Sequence, residues 1–101
     1  MIINTKLIHS NLLFVLAEIA AQPDVGATFP SELLGFPEQV GQIREWIEDA
    51  GEFGIAYESI VTMLEEFPFH LSGQAAVKLL EVGLQMRFKT DQAKDTEFDG
   101  R

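Results

Sequence analysis

The residues of this chain that are best suited to chemistry are carboxylates. Residues 45–77 contain seven acids and no Lys or Arg. A carboxylate can transfer a proton, bind a metal ion or attract a cationic partner, and its neighbours decide among these roles. The chain has no Cys and only two His, which excludes thiol nucleophiles, disulfides and cysteine-based metal sites.

The other groups that an enzyme would need are poorly placed in the sequence. His9 has no acid within four residues, and Pro68 interrupts the helix that would bring Glu66 beside His70. The acids lack the Asp/Asn/Gly loop of a calcium hand. We therefore expect no catalysis, no cofactor and no metal ion. A metal site shared by the two histidines is the remaining alternative.

The net charge is −9 at pH 7 and is unevenly distributed. Residues 7–77 contain eleven acids and one base, Arg44, whereas residues 78–101 contain five of each. A field of this sign repels nucleic acid and anionic membranes and attracts a cationic partner. The alternative is that the acids serve only solubility, but that role does not require the exclusion of every Lys and Arg over 33 residues.

Apolar residues recur with helical spacing in four segments, and we predict a helix in each. The segments are 5–22, 37–50, 52–67 and 73–86. Pro37 suits the first turn of the second helix, Gly51 can end it in a left-handed conformation, and Ser72 can cap the last helix. No run alternates with period two. The fold class is therefore all-α, a small antiparallel bundle of about four helices.

Two of the helices have features that bear on packing. The first is apolar on a second side, at Leu7, Phe14 and Ala21, which favours a central position in the bundle over an association surface. Close approach of another helix is the simplest reason for Gly83 in the last helix. The predicted buried stripe of the last helix is Ala76, Leu79, Leu80 and Gly83.

The length of 101 residues suits one domain with one modest core. We predict a helical domain over 1–89, interrupted by a proline-containing loop at 23–36, and a polar tail over 90–101. The beginning of the chain has no signal-peptide pattern, and the most apolar stretch is about half as long as a membrane span. With the absence of Cys, this pattern favours a cytoplasmic protein.

We expect the acids to form a surface that meets a partner. Glu45, Glu48 and Asp49 lie almost opposite the buried stripe of the second helix on a helical wheel. Trp46 and Tyr57 are of residue types that often anchor interfaces, although packing in the core is the alternative for both. The predicted partner-binding residues are Glu45, Trp46, Glu48, Asp49, Glu52, Ile55, Tyr57, Glu58, Glu65 and Glu66.

The junction between the second and third helices reads Gly51-Glu-Phe-Gly-Ile-Ala-Tyr-Glu58 and leads into an apolar helix that ends at Glu65-Glu66. This pattern resembles the MafI-type or contact-dependent-growth-inhibition-like immunity proteins of bacterial polymorphic toxin systems. The resemblance extends over residues 48–86 and includes the last helix. It departs from the family pattern at Ile60-Val-Thr-Met63, where the family often has a Cys.

The resemblance implies an immunity protein that binds and neutralises a cognate toxin inside the cell. Many such toxins are nucleases, which are cationic because they bind phosphate backbones, so the implied partner is a basic nuclease domain. Two alternatives stay open. One is an acidic helical adaptor or regulator of a basic protein, and the other is a homo-oligomer formed through the Leu7, Phe14 and Ala21 side. Neither nucleic acid nor a membrane is expected as a partner.

Overall fold

The computed structural model describes residues 4–30 and 35–90, with side chains as far as residue 86. The regular secondary structure of these residues is helical. The helices are α1 (Thr5–Ala20), α2 (Pro23–Gly26), α3 (Phe36–Glu45, continued by a π-helical turn at Trp46–Ala50), α4 (Phe53–Glu66) and α5 (Gly73–Thr90). No strand occurs in these described ranges. Four of the helices are long, which confirms the small all-α bundle.

The ends of the helices follow local sequence signals. The side chain of Asn4 accepts a hydrogen bond from the Leu7 N–H at 3.0 Å and so caps α1. α1 ends at Ala20, earlier than predicted, because Gln22 precedes Pro23 and leaves the helical region, with φ −120° and ψ 63°. Pro23 then begins the short helix α2, where the sequence had predicted only a loop.

The core lies around α1, which packs against α3, α4 and α5. The main apolar stripe of α1 is buried throughout, at Ile8, Leu12, Val15, Leu16 and Ile19, so the predicted central position of α1 is confirmed. The second apolar side is not a free surface over its whole length, since Leu7 and Phe14 are partly buried. The Lys78 ammonium also lies 5.1 Å from the centre of the Phe14 ring, a cation–π arrangement.

α5 is rotated relative to the predicted orientation. The structure buries Ala75 and Val82 completely, whereas Ala76 is exposed and Leu80 is 62% exposed. The predicted stripe was wrong because α5 is apolar on two nearly opposite sides, and periodicity alone cannot say which side faces the core. The end of the helix also differs, since α5 continues to Thr90; the rest of the predicted tail lies outside the described residues.

Two of the stripe residues of α5 do lie towards the bundle. Leu79 and Gly83 are partly buried. A Cβ atom added at Gly83 would lie 2.7 Å from the Tyr57 Oη of α4, closer than real Cβ contacts allow. The predicted close approach of another helix at Gly83 is therefore confirmed.

Polar side chains connect α1 to α5 along the whole length of the pair. The buried Asn11 amide donates to the Lys78 carbonyl at 3.1 Å and to the Glu81 carboxylate at 3.0 Å. Near the other end, the Ser72 N–H and hydroxyl donate to the two oxygens of Glu18, at 2.9 and 2.6 Å. The Ser72 Oγ also accepts from the Ala75 N–H at 3.1 Å, which confirms the predicted cap of α5.

The segments between the long helices are held by aromatic rings. Phe29 stacks on Phe67 with 4.0 Å between ring centres, and Phe36 stacks on Phe69 at 5.6 Å. A Cβ atom at Gly26 would overlap the ring of Phe36, so this ring needs a glycine beneath it. The cluster fixes the start of α3 against the end of α4. None of the described helices is both long enough and apolar enough to cross a membrane.

Candidate partner-binding surface

The junction between α3 and α4 positions the acids. Gly51 has φ +63°, a left-handed conformation that costs a residue with a Cβ about 1–2 kcal/mol. Its N–H and the N–H of Glu52, at 2.8 Å, both bond to the Trp46 carbonyl and so complete the end of the helix. The predicted stop at Gly51 is confirmed.

The last turn of this helix is wider than an α-helical turn. A π-helical turn, with its i to i+5 hydrogen bonds, spans Trp46–Ala50, while Ile47 remains buried in the core. The helical wheel that grouped Glu48 and Asp49 with Glu45 assumed 3.6 residues per turn, which does not hold over this π-helical turn. All three carboxylates are nevertheless exposed.

All seven acids of residues 45–77 are exposed. Among the described residues, none of these carboxylates forms an ion pair or a hydrogen bond with another side chain. Within the described part of the chain, the acids that lack nearby bases in the sequence thus also lack ion-pair partners in the structure. It creates a negative field over α3 and α4 that is available to a partner.

A groove of about 420 Å³ lies beside α4 on the side that faces Gln39 of α3. Its wall brings together three of the predicted residues, Ile55, Glu58 and Glu66, and adds five that the sequence did not single out. Residues 55, 59, 62 and 66 share one face of α4, so helical spacing contained the signal, but it could not show which helix lies alongside. The added residues are Gln39, Ser59, Thr62, Met63 and Phe67.

The chemistry of this groove suits a long cationic side chain. Ile55, Met63 and Phe67 supply apolar surface, and Ile55 is 46% exposed. Glu58 and Glu66 supply exposed carboxylates in the same wall. Lys and Arg bury an aliphatic stem while their charged end seeks a carboxylate, so both kinds of contact can be made at once.

The remaining predicted residues lie outside the groove. Glu45, Glu48, Asp49 and Glu52 are exposed on α3, its π-helical turn and the junction, and Glu65 is exposed on α4. These five acids can add to the field without lining the groove. The predicted surface thus consists of the groove with its apolar floor and of a wider acidic margin, which is the name used below for these five acids.

The two aromatic candidates are packing residues in part. Tyr57 is partly buried and its hydroxyl lies against Gly83 of α5, on the side of α4 away from the groove. Trp46 is partly buried and packs against the hydrophobic core. The packing alternative thus applies to both rings, and most clearly to Tyr57.

The two histidines are far apart. His9 packs edge-on against Phe53 with 6.3 Å between ring centres. The His70 N–H bonds to the Gln22 side chain just beyond the end of α1, at 2.8 Å. His9 and Ala20, the last residue of α1, are eleven positions apart, which corresponds to about 16 Å along the helix, and Gln22 lies beyond that end. The two rings cannot share a metal ion, and no cluster of three or more metal-ligating side chains occurs among the described residues.

Fold and surface together define a small all-α bundle with an acidic, apolar-floored groove. No protein family matches this chain, and comparisons with curated proteins and with solved structures find no match either. The resemblance to immunity proteins over residues 48–86 therefore stays a prediction. The geometry and charge of the surface carry the functional proposal.

Proposed function

We propose that this protein is an immunity protein that binds a cognate basic toxin through the α3–α4 surface. The observation that carries the proposal is the groove, in which Glu58 and Glu66 accompany an apolar floor within a field of seven uncompensated acids. The class of partner follows from this chemistry. A cationic protein with an exposed Lys or Arg would be attracted by the field and anchored in the groove.

The two parts of the surface have different roles in this mechanism. The acidic margin accelerates encounter, because long-range attraction raises association rates towards about 10⁸ M⁻¹s⁻¹ at low salt. The groove supplies affinity, because a few desolvated anchors dominate the binding energy of most interfaces. A nuclease toxin fits this picture, since the cationic residues that bind its substrate are the residues that an acidic protein would cover. Neutralisation takes place where the toxin acts, in the cytoplasm.

The first experiment tests the biological role. The C-terminal domain encoded by the gene immediately upstream is expressed in bacterial cells with and without this protein. We expect the cells that express the C-terminal domain to grow only when this protein is also expressed. Equal killing in the two cultures contradicts the immunity role. A stable complex with a basic protein that is not toxic would instead support the adaptor alternative.

The second experiment tests the groove with a matched pair of charge reversals. Glu58→Lys places a cation in the groove wall, whereas Asp24→Lys makes the same charge change at an exposed position of α2. We expect Glu58→Lys to weaken toxin binding about 100-fold or more, and Asp24→Lys to weaken it less than about threefold. Titration calorimetry at physiological salt measures both. Equal effects of the two variants would exclude the groove as the anchor site.

A further inference from the structure

The outer side of α5 carries an exposed apolar stripe. Val77, Leu80 and Leu84 are 58%, 62% and 48% exposed, and their spacing of three and four residues aligns them on one face. They are three of the four large exposed apolar side chains in the part of the chain that the structure describes. The buried Ala75 and Val82 lie on nearly the opposite face of the same helix. Contiguous apolar surface of this kind marks a site of association.

The charge around this stripe differs from that of the rest of the bundle. Among its residues with described side chains, α5 carries one base and one acid, Lys78 and Glu81, whereas residues 7–77 carry a net charge of −10. A cationic partner is drawn to α3 and α4, where the field is negative, and not to α5. Two copies of the chain repel each other over most of their surfaces, and the repulsion is weakest where bases balance the acids. The charge distribution therefore favours a second copy as the occupant of the stripe.

The position of α5 in the bundle agrees with this choice. α5 lies on the Tyr57 side of α4, while the groove lies on the opposite side, beside Gln39 of α3. A second copy seated on the outer side of α5 therefore leaves both grooves free.

We propose that the chain forms a two-fold symmetric dimer through the outer face of α5, with the two α5 helices antiparallel. The stripe is self-complementary, because Val77 and Leu84 lie at equal distances along the helix from a two-fold axis placed between positions 80 and 81. A two-fold axis beside Leu80 brings this residue next to Leu80 of the second copy, and Val77 opposite Leu84 of the second copy. Exposed apolar surface on each copy is thereby removed from water.

The mass of the protein as a function of concentration tests the dimer. An interface of three side chains per copy belongs to the small, weak class, so we expect a dissociation constant on the order of 10–100 µM by analytical ultracentrifugation. Leu80→Lys should weaken self-association at least about 20-fold by placing two cations at the axis. Ile55→Lys is the matched control, since Ile55 is the one other large exposed apolar side chain of the described residues. We expect the Ile55 variant to dimerise as the wild type does.

Salt separates this interface from the toxin-binding surface. Raising NaCl from about 50 mM to about 500 mM screens the repulsion between two copies of charge −9, so dimerisation should strengthen several-fold. Binding of a basic toxin should weaken over the same range, because its attraction is screened. A dimer that dissociates with added salt would contradict an apolar interface on α5.

Crosslinking tests the arrangement without relying on affinity. The chain has no Cys, so a single introduced Cys reports on one position. Leu80→Cys should form a covalent dimer under mild oxidation, because the axis brings the two Cβ atoms together, whereas Ile55→Cys should remain a monomer. A wild-type mass that stays monomeric to about 500 µM overturns the proposal. A second result would also overturn it. If the wild type stays monomeric and the toxin binds the Leu80→Lys variant more weakly than the wild type, the toxin is the occupant of the stripe.

Discussion

The α1–α5 pair and the α3–α4 surface use polar side chains in opposite ways. Between α1 and α5, polar side chains form hydrogen bonds with each other, such as those from Asn11 to Glu81 and from Ser72 to Glu18. On α3 and α4, seven carboxylates have no such partners among the described residues. One pair of helices thus fixes the fold, and the other presents charge outward. Changes in the first should alter stability, and changes in the second should alter binding.

The largest effect is expected at Asn11, which is 1% exposed and bonds to two groups of α5. Asn11→Ala should lower the free energy of unfolding by about 2–3 kcal/mol, because it removes both bonds and leaves a small cavity. Urea denaturation measures the change. Ser10→Ala, at the exposed neighbouring position, is the control and should change it by less than about 0.5 kcal/mol. A loss as small as that of the control would mean that the polar bonds do not hold α5.

The next largest effect is expected from changes in the acidic margin. These changes should lower the rate of toxin association and leave the stability of the fold unchanged. Reversing Glu45, Glu48 and Asp49 to Lys should slow toxin association about tenfold at low salt, because these acids lie outside the groove and act through the field. Helix content measured by circular dichroism should stay the same. Stopped-flow kinetics measures the rate. An unchanged association rate at low salt would remove this margin from the proposed surface.

A smaller effect on stability is expected at the junction that positions the margin. Gly51→Ala should cost about 1–2 kcal/mol, because Gly51 has φ +63° although a Cβ there would meet no other atom. Gly41→Ala makes the same chemical change in open space inside the α-helical part of α3, and should stabilise by about 0.5–1 kcal/mol. Thermal denaturation compares the two. If both variants shift stability in the same direction, the backbone at Gly51 is not the cause.

The smallest effect is a dependence of stability on pH at Glu18. The hydrogen bonds from the Ser72 hydroxyl and then the Ser72 N–H hold the pKa of the Glu18 carboxyl below its ordinary value of 4.5. The stabilisation is therefore complete above about pH 4.5, the unfolded value, and is lost as the pH falls through the lower folded pKa. The stability difference between wild type and Glu18→Gln, measured by urea denaturation, should be constant near neutral pH and shrink in acid. A difference that grows in acid would contradict the assignment.

Local signals in the sequence predicted the helices well. Gly51, Ser72 and the apolar stripe of α1 each act within a few neighbouring residues, so spacing and residue type were sufficient. The orientation of α5 was not predictable in the same way. It depends on contacts such as Asn11 with Lys78 and Glu81, which are 67 and 70 residues away in the sequence. No local pattern reports a bond over that distance.

The surface was predictable as charge but not as shape. The count of acids located the negative field on α3 and α4, and their exposure follows from the helical period. The π-helical turn at Trp46–Ala50 was missed, because the hydrophobic pattern around Ile47 is compatible with either kind of turn. The groove was missed because it needs Gln39 of α3 beside Glu66 and Phe67 of α4, a neighbourhood that only the packed bundle creates.

The bonds between Gln22 and His70 have a consequence for the order in which the chain can fold. The Gln22 side chain accepts from the His70 N–H at 2.8 Å and donates to the His70 carbonyl at 2.7 Å, as a backbone peptide would. These bonds span 48 residues, and the bond from the Asn4 N–H to the Gln85 side chain spans 81. During synthesis α1 leaves the ribosome before α5, the last of the described helices, and must wait for it before its polar groups are satisfied. Closure of the bundle is therefore a late, long-range event, slower than formation of any of its helices.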